Sequence, residues 1–268
     1  MIERRKGLPM DSLKERPATG LTTQALRVWA LVFAAAGILG RGLLQNGFLQ
    51  VTLLDGEELL ALLNGSNRTM ILATVSIVLQ AVETCAIPIF AFLLVEGIQH
   101  TSSVRRYFLR VLMVAVISEL PYNLAMWGKW TELQSRNPVF GLGISLVVLY
   151  FFRRYSDKSP GQYLIRIFVV LAAVLWTGFL GIEYGRPTLI LSVVLWAVRN
   201  YPKYRILVGA LAAAVCCMFS LFFMAAAMSF LILHFYEGEK GTGSRVANYG
   251  IYPLLLLLVG LVANYVIP

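Results

Sequence analysis

Long apolar runs separated by short charged stretches run along the whole chain. Eight apolar segments cover 28–48, 69–99, 107–127, 138–152, 162–180, 186–198, 206–235 and 250–267. Most approach the roughly 20 residues that an α-helix needs to cross a bilayer, and none shows the strict alternation of a barrel strand. The pattern therefore predicts an all-α fold, a polytopic transmembrane helical bundle of about eight to ten spans.

Two of these segments are too long for one upright crossing. The segment 206–235 would form about 45 Å of helix, which predicts a tilted or broken span or a tight hairpin. In the segment 68–99, Pro88 predicts a kink because proline removes a helical hydrogen bond. The stretch between the first two spans, LLDGEELLALLNGSNR, predicts a short interfacial helix or an ordered loop.

Composition and charge narrow the class of protein. Hydrophobic residues make up 58% of the chain and charged residues only 14%, which excludes an ordinary water-soluble domain. The net charge of +9 collects in alternate loops, so it indicates membrane orientation and not a nucleic-acid partner. We expect a multi-pass protein of the bacterial cytoplasmic membrane with a cytoplasmic N-terminus.

The domain organisation is simple. Residues 1–24 are basic and lack the apolar core and cleavage site of a signal peptide, so we interpret them as a cytoplasmic leader. Residues 25–268 form one predicted transmembrane domain. The three cysteines lie in apolar segments without metal-ligand spacing, and we therefore expect neither a disulfide framework nor a metal site.

Carboxylates inside apolar segments are the first candidates for chemistry, because a charge in hydrocarbon is costly unless it is paired or hydrated. Glu96 and Glu119 are two such residues. Glu96 lies four residues before His100, a spacing that places both on one helix face. A carboxylate there can orient a histidine that acts as a base. The same spacing also fits a structural pair at a helix end.

Three further features leave functional and structural interpretations open. Glu119 precedes Pro121 and Asn123, so the two polar side chains either satisfy a bent backbone or line a hydrated cavity. Arg41, in the first span, either binds a phosphate-bearing cofactor or extends to the interface. Lys240 lies in the glycine-rich stretch YEGEKGTGSR, which either approaches a nucleotide or forms turns.

Several short motifs then resemble one family. In chain order they are PIFAFLLVEGIQHT, RYFLR, SELPYNLA, EYG, YEGEKG and YGIYP, and they extend from about residue 37 to 258. This combination resembles the TraX family. The resemblance implies an acyltransferase-like membrane fold that uses acetyl-CoA or another acyl-CoA and is associated with N-terminal acetylation of conjugative pilin. It also implies membrane lipid as a partner and a peptide, pilin-like, lipid or glycan acceptor.

The resemblance assigns roles to individual residues. It implies that His100 is the base, that Glu96 orients it and that Glu119 belongs to the catalytic set. The expected contacts to the acceptor come from Asn123, Glu183 and Tyr184. CoA phosphates are expected at Arg41 or Lys240.

The chain departs from the family pattern in two places. Related proteins carry an Asp-His pair in the first span, where this chain has Leu39-Gly40-Arg41-Gly42, and Tyr252-Pro253 lacks the histidine that usually follows. The family also more often has Asp at the positions of Asn123 and Glu183. A non-catalytic descendant that binds a lipid, a peptide or a partner protein is therefore the alternative. A transporter is a third class, although no repeated halves are evident.

Overall fold

A computed structural model describes residues 20–157, 159–239, 241 and 245–267, without the side chains of 245–248. The described residues form helices and turns and contain no β-sheet. The α-helices are α1 Thr23–Gly37, α2 Gly56–Gly65, α3 Asn67–Glu83, α4 Ala86–His100, α5 Val104–Trp127, α6 Val139–Arg154, α7 Pro160–Phe179, α8 Gly185–Ala197, α9 Pro202–Val215, α10 Ser229–His234 and α11 Arg245–Leu261. The predicted all-α fold is confirmed.

Length and composition support membrane crossing. Five helical stretches are long and apolar enough to span a bilayer: Thr23–Phe48, Asn67–His100, Val104–Trp127, Pro160–Phe179 and Tyr249–Val266. The lipid-facing character is clearest on α7, where Phe168, Leu175 and Phe179 are between 73 and 82% exposed. Because such a surface is unfavourable in water, it belongs against hydrocarbon chains.

The helical stretch 67–100 is interrupted near Pro88, where the sequence predicted a kink. The bend lies at Thr84 and Cys85, between α3 and α4. Pro88 itself falls in the first turn of α4, where a missing amide hydrogen costs little. The Thr84 hydroxyl bridges the bend by donating to the carbonyl oxygens of Ala81 and Phe222 at 2.7 and 3.0 Å. The bend leaves Glu83 at the end of α3.

The long apolar segment 206–235 adopts the hairpin among its predicted alternatives. It begins in α9, passes through short 3₁₀ turns and returns in α10. Arg205 at its start contacts Glu96, and Tyr236 just after its end contacts Thr23, so both ends lie at one end of the bundle. We call this the Leu21 end, because the Leu21 amide also donates to the Phe235 carbonyl.

The tip of the hairpin points toward the opposite end of the bundle. Phe223 packs against Tyr184, with ring centroids 5.5 Å apart, and lies beside the turn that follows α7. We call this opposite end the Glu183 end. The first helix continues toward it from α1 through a wide π-helical segment, Ile38–Phe48. The stretch predicted as an interfacial helix or loop is helical, as α2.

Candidate site at a buried ionic cluster

An ion pair joins the first helix to the turn before α8. Arg41 projects from the π-helical segment, and its guanidinium donates a short hydrogen bond to the Glu183 carboxylate. Both side chains are mostly buried, at 23 and 16% exposure. The guanidinium also lies over the Trp127 ring, 5.2 Å from its centroid, an arrangement that favours a cation. Arg41 was predicted to bind a phosphate-bearing cofactor or to extend to the interface, and the structure shows a third arrangement, an ion pair with Glu183.

A tyrosine fixes the other oxygen of the same carboxylate. The Tyr122 hydroxyl donates to Glu183 Oε2 at 2.5 Å and lies 3.2 Å from the Ser135 hydroxyl. Tyr122 is 1% exposed, within the part of α5 that faces the end of the first helix and α11. The Glu183 carboxylate is therefore held by side chains from two separate stretches of the chain, the first helix and α5.

Glu83 is a second carboxylate in this cluster. It lies at the end of α3, just before the interruption between α3 and α4, and its side chain is close enough to Arg41, Glu183 and Tyr184 to interact with them. Gly37 on α1 makes the room, because a Cβ atom at that position would overlap the Glu83 carboxylate. Sequence reasoning did not single out Glu83. The available signal was a carboxylate in the middle of the apolar segment 69–99.

The cluster contains two carboxyl groups, those of Glu83 and Glu183, and one guanidinium, that of Arg41. Glu83 and Glu183 are both close enough to interact with the single guanidinium of Arg41. Two buried carboxylates that share one cation favour the binding of a further positive charge, which is a proton or a cationic group of a ligand. The arrangement is thus suited to hold an amine and to exchange a proton with it.

A cavity adjoins the cluster. It has a volume of about 350 Å³ and is lined by Glu183, Tyr184 and Arg186 together with residues near the tip of the hairpin, Phe219, Ser220 and Phe223. This volume is within the range of small-ligand sites. Glu183 and Tyr184, both predicted to contact an acceptor, therefore lie together at a cavity wall.

Glu119 supports this site from outside it. Its carboxylate accepts hydrogen bonds from Arg136 at 3.0 Å and from the side-chain and backbone nitrogens of Asn137 at 2.7 and 3.2 Å. The Arg136 amide and carbonyl in turn bond to Gly181 and Glu183 backbone groups, each at 3.0 Å. Glu119 thus clamps the loop that holds the turn carrying Glu183.

Glu96 and His100 lie at the other end of the bundle. Arg205 donates to Glu96 at 3.1 Å and lies over the Phe92 ring. The His100 ring is 3.7 Å from the Glu96 carboxylate, and its side chain is 71% exposed. The same His100 nitrogen is 2.9 Å from the Glu96 carbonyl oxygen. The two residues are neighbours on one helix face, as their spacing predicted, but the hydrogen bond of His100 goes to the Glu96 carbonyl, and the Glu96 carboxylate binds Arg205.

The predicted site residues consequently separate into two groups. Glu96 and His100 are at the Leu21 end, whereas Arg41, Glu119 and Glu183 are at the Glu183 end. The other three predicted site residues are Tyr184, Asn123 and Lys240. Tyr184 belongs to the ionic cluster, Asn123 is buried with its amide oxygen unpaired among the described residues, and Lys240 lies outside them.

Comparison with known proteins agrees with the motif resemblance. The sequence pattern of the family described as TraX protein matches residues 59–263, well over half of the chain. The "Probable fimbrial assembly protein FimC, serogroup H1" of Dichelobacter nodosus is 28% identical over 231 residues, covering 77% of this chain and 88% of that protein. No solved structure matches. The chain belongs to the TraX family of membrane proteins.

Proposed function

We propose that this protein transfers an acyl group, such as acetyl, from acyl-CoA to a primary amine. Membership of the TraX family and the similarity to a fimbrial assembly protein support a protein N-terminus as the source of that amine. A hydroxyl group is the alternative acceptor, since it attacks a thioester in the same way. The observation that carries the proposal is the excess of carboxylates over guanidinium in the cluster beside the cavity.

The chemistry follows from this charge balance. An amine arrives as an ammonium ion, which the carboxylates of Glu83 and Glu183 attract. One carboxylate removes a proton, and the neutral amine then attacks the thioester carbonyl carbon. The new C–N bond forms as the C–S bond breaks, and the departing thiolate leaves as the thiol after taking a proton. Arg186, which lines the same cavity, is positioned to favour the transient oxyanion.

The base has two candidates in this protein. Glu83 is favoured because Glu183 already binds Arg41 and Tyr122, which leaves Glu83 as the less occupied carboxylate. His100 is the alternative, and its exposure places it where soluble donors arrive. Since the two residues lie at opposite ends of the bundle, they predict chemistry on opposite sides of the membrane.

The proposed orientation makes this difference measurable. With the Leu21 end in the bacterial cytoplasm, as the basic loops predict, acyl-CoA is on the side opposite the ionic cluster. Chemistry at Glu83 then requires the thioester end of acyl-CoA to reach into the bundle from the Leu21 end. Chemistry at His100 requires donor and acceptor on the same side.

The test is an acyl-transfer assay in oriented proteoliposomes. Radiolabelled acetyl-CoA is supplied on the Leu21 side. A membrane-impermeant peptide with a free N-terminus is placed on the Leu21 side in one set of vesicles and on the Glu183 side in another. The same peptide with an N-formyl group is the matched control. We expect label only in the free peptide, on the side of the Glu183 end. If the peptide is labelled only when both substrates are on the Leu21 side, His100 is the base instead of Glu83. No label in any arrangement would contradict the proposed activity.

A binding role without chemistry is the second candidate. It is motivated by Arg41, which stands where relatives carry an Asp-His pair and which forms an ion pair with Glu183. In this case the same cavity holds a cationic peptide end without modifying it. Saturable binding of the free peptide by the purified protein, together with absence of transfer, would favour this role.

A further inference from the structure

A second cavity lies at the Leu21 end, across the bundle from the ionic cluster. It has a volume of about 290 Å³ and is lined by Gln99, Phe152, Arg153, Ser156, Trp196 and Arg199. These residues lie at or just after the C-terminal ends of α4, α6 and α8. The cavity therefore sits at the level where a membrane meets water.

The two arginines of this cavity are held in place without neutralisation of their charge. Arg153 donates to the carbonyl oxygens of Ile98 and Thr101 at 2.8 and 3.4 Å. Arg199 donates to the Trp196 carbonyl at 2.7 Å, and its guanidinium lies 4.1 Å from the centroid of the Trp196 ring. Within the described part of the chain, neither forms a salt bridge with a carboxylate.

A third arginine strengthens the positive potential. Arg166 donates to the carbonyl oxygens of Tyr155 and Asp157. Burial lowers the pKa of Arg199, and charge repulsion from Arg166 lowers it further. The Asp157 carboxylate accepts from the Gln162 side chain at 2.9 Å, and that contact fixes it within its own loop. An anion placed beside Arg199 would relieve this repulsion.

We propose that this cavity binds a phosphate group. Two planar guanidinium groups fixed by backbone carbonyls match the several oxygens and the charge of a phosphate. Gln99 and Ser156 add neutral polar groups at the same wall. The phosphate belongs either to the headgroup of an anionic lipid or to a soluble phosphorylated compound. This inference does not depend on the proposed acyl transfer.

The experiment measures binding in two arms. Bound phosphatidylglycerol is counted by native mass spectrometry after extraction from nanodiscs, and inorganic pyrophosphate is titrated by calorimetry into the detergent-purified protein. The variants are Arg199→Gln and Ser156→Asp. Ser156→Asp keeps both arginines but adds a competing carboxylate. Arg154→Gln is the control, because it removes the same charge from an exposed neighbour that does not line the cavity.

We expect both cavity variants to weaken binding at least about tenfold in one arm, and the control to change it less than about twofold. Loss confined to phosphatidylglycerol identifies a lipid headgroup, and loss confined to pyrophosphate identifies a soluble ligand. If the control variant loses as much binding as the cavity variants, general surface charge explains the binding and the proposal is overturned. Absence of binding in both arms by folded wild-type protein would overturn it as well.

Discussion

Each carboxylate that the sequence singled out within or beside an apolar segment binds an arginine from another part of the fold. Pairing of this kind is the condition under which a charged side chain tolerates a membrane environment. The three pairs are Glu96 with Arg205, Glu119 with Arg136, and Glu183 with Arg41. Glu83 differs, because it interacts with an arginine that another carboxylate already binds.

The shared guanidinium predicts unequal effects of two neutralising substitutions. Arg41→Gln leaves two carboxylates without a cation, and we expect it to lower the free energy of unfolding by about 1–3 kcal/mol. Glu183→Gln leaves Arg41 with Glu83, so the loss is smaller. Thermal unfolding in detergent, followed by tryptophan fluorescence, compares the two variants. Equal losses would contradict a shared guanidinium.

The sequence indicated which charged or polar residues lie within apolar segments, but it did not indicate which residues they contact in the fold. Glu183 and Arg41 are 142 positions apart, and their contact depends on how the rest of the fold brings the turn before α8 to the first helix. Glu96 and His100 were predictable as a pair because helical spacing is local. Glu83 was missed because a single carboxylate in an apolar run carries no local pattern.

Among the elements, the close approach of the first helix to α3 depends on two glycines, one at the end of α1 and one in the π-helical segment that follows it. Gly37 faces the movable carboxylate of Glu83, whereas a Cβ at Gly40 would lie 2.9 Å from both the Ser76 carbonyl oxygen and the Leu79 Cβ. Backbone cannot yield as a flexible side chain does. Gly37 therefore leaves space for the Glu83 carboxylate of the ionic cluster, and Gly40 allows the first helix and α3 to pack closely.

This difference predicts opposite outcomes for two alanine substitutions. Gly37→Ala should displace the Glu83 carboxylate and reduce acyl transfer without lowering thermal stability, since alanine favours a helix more than glycine does. Gly40→Ala should separate the helices and lower the unfolding temperature. The transfer assay and thermal unfolding measure both variants. A destabilised Gly37→Ala with unchanged specific activity would argue against the role given to Gly37.

The loop between α5 and α6 depends on the Glu119 clamp. Glu119→Gln weakens the charge-assisted contact to Arg136 while keeping the size of the side chain. We expect faster hydrogen exchange at the amides of Arg136 and Glu183, which bond across the two loops. Glu57→Gln, at an exposed position on α2, is the control. Unchanged exchange in Glu119→Gln would show that the clamp is not needed.

The apolar segments themselves were predictable because their length and composition reflect the solvent that surrounds them. The bend at Thr84 was predictable only approximately, through Pro88. The 3₁₀ turns in the hairpin were not, because small and apolar residues such as those around Ala225 fit a regular helix equally well. Their path depends on contacts with Thr84 and Tyr184 from other helices.

At the level of the whole molecule, the protein has two polar ends separated by an apolar middle. The ionic cluster and its cavity lie at the Glu183 end, and the phosphate cavity and His100 lie at the Leu21 end. Helical membrane proteins commonly place ligands on both faces of a bundle between helices. The alternation of basic loops predicted the two sides but not which polar residues gather at each.

The hairpin predicts a specific pattern of accessibility. In a variant without native cysteines, Lys203→Cys and Glu237→Cys should react with an impermeant maleimide from the same side, because the hairpin begins and ends at the Leu21 end. Leu133→Cys, in the loop at the Glu183 end, should react only from the opposite side. Labelling of the first two positions from different sides would contradict the hairpin.

The central claim is that the ionic cluster removes a proton from an amine, and Glu83→Gln tests it most directly. The change relieves repulsion with Glu183, so the variant should fold, while the proposed base is lost. In the proteoliposome assay we expect acyl transfer to fall about 100-fold or more, and Glu57→Gln on exposed α2 to retain full activity. Transfer by folded Glu83→Gln at the wild-type rate would contradict this account.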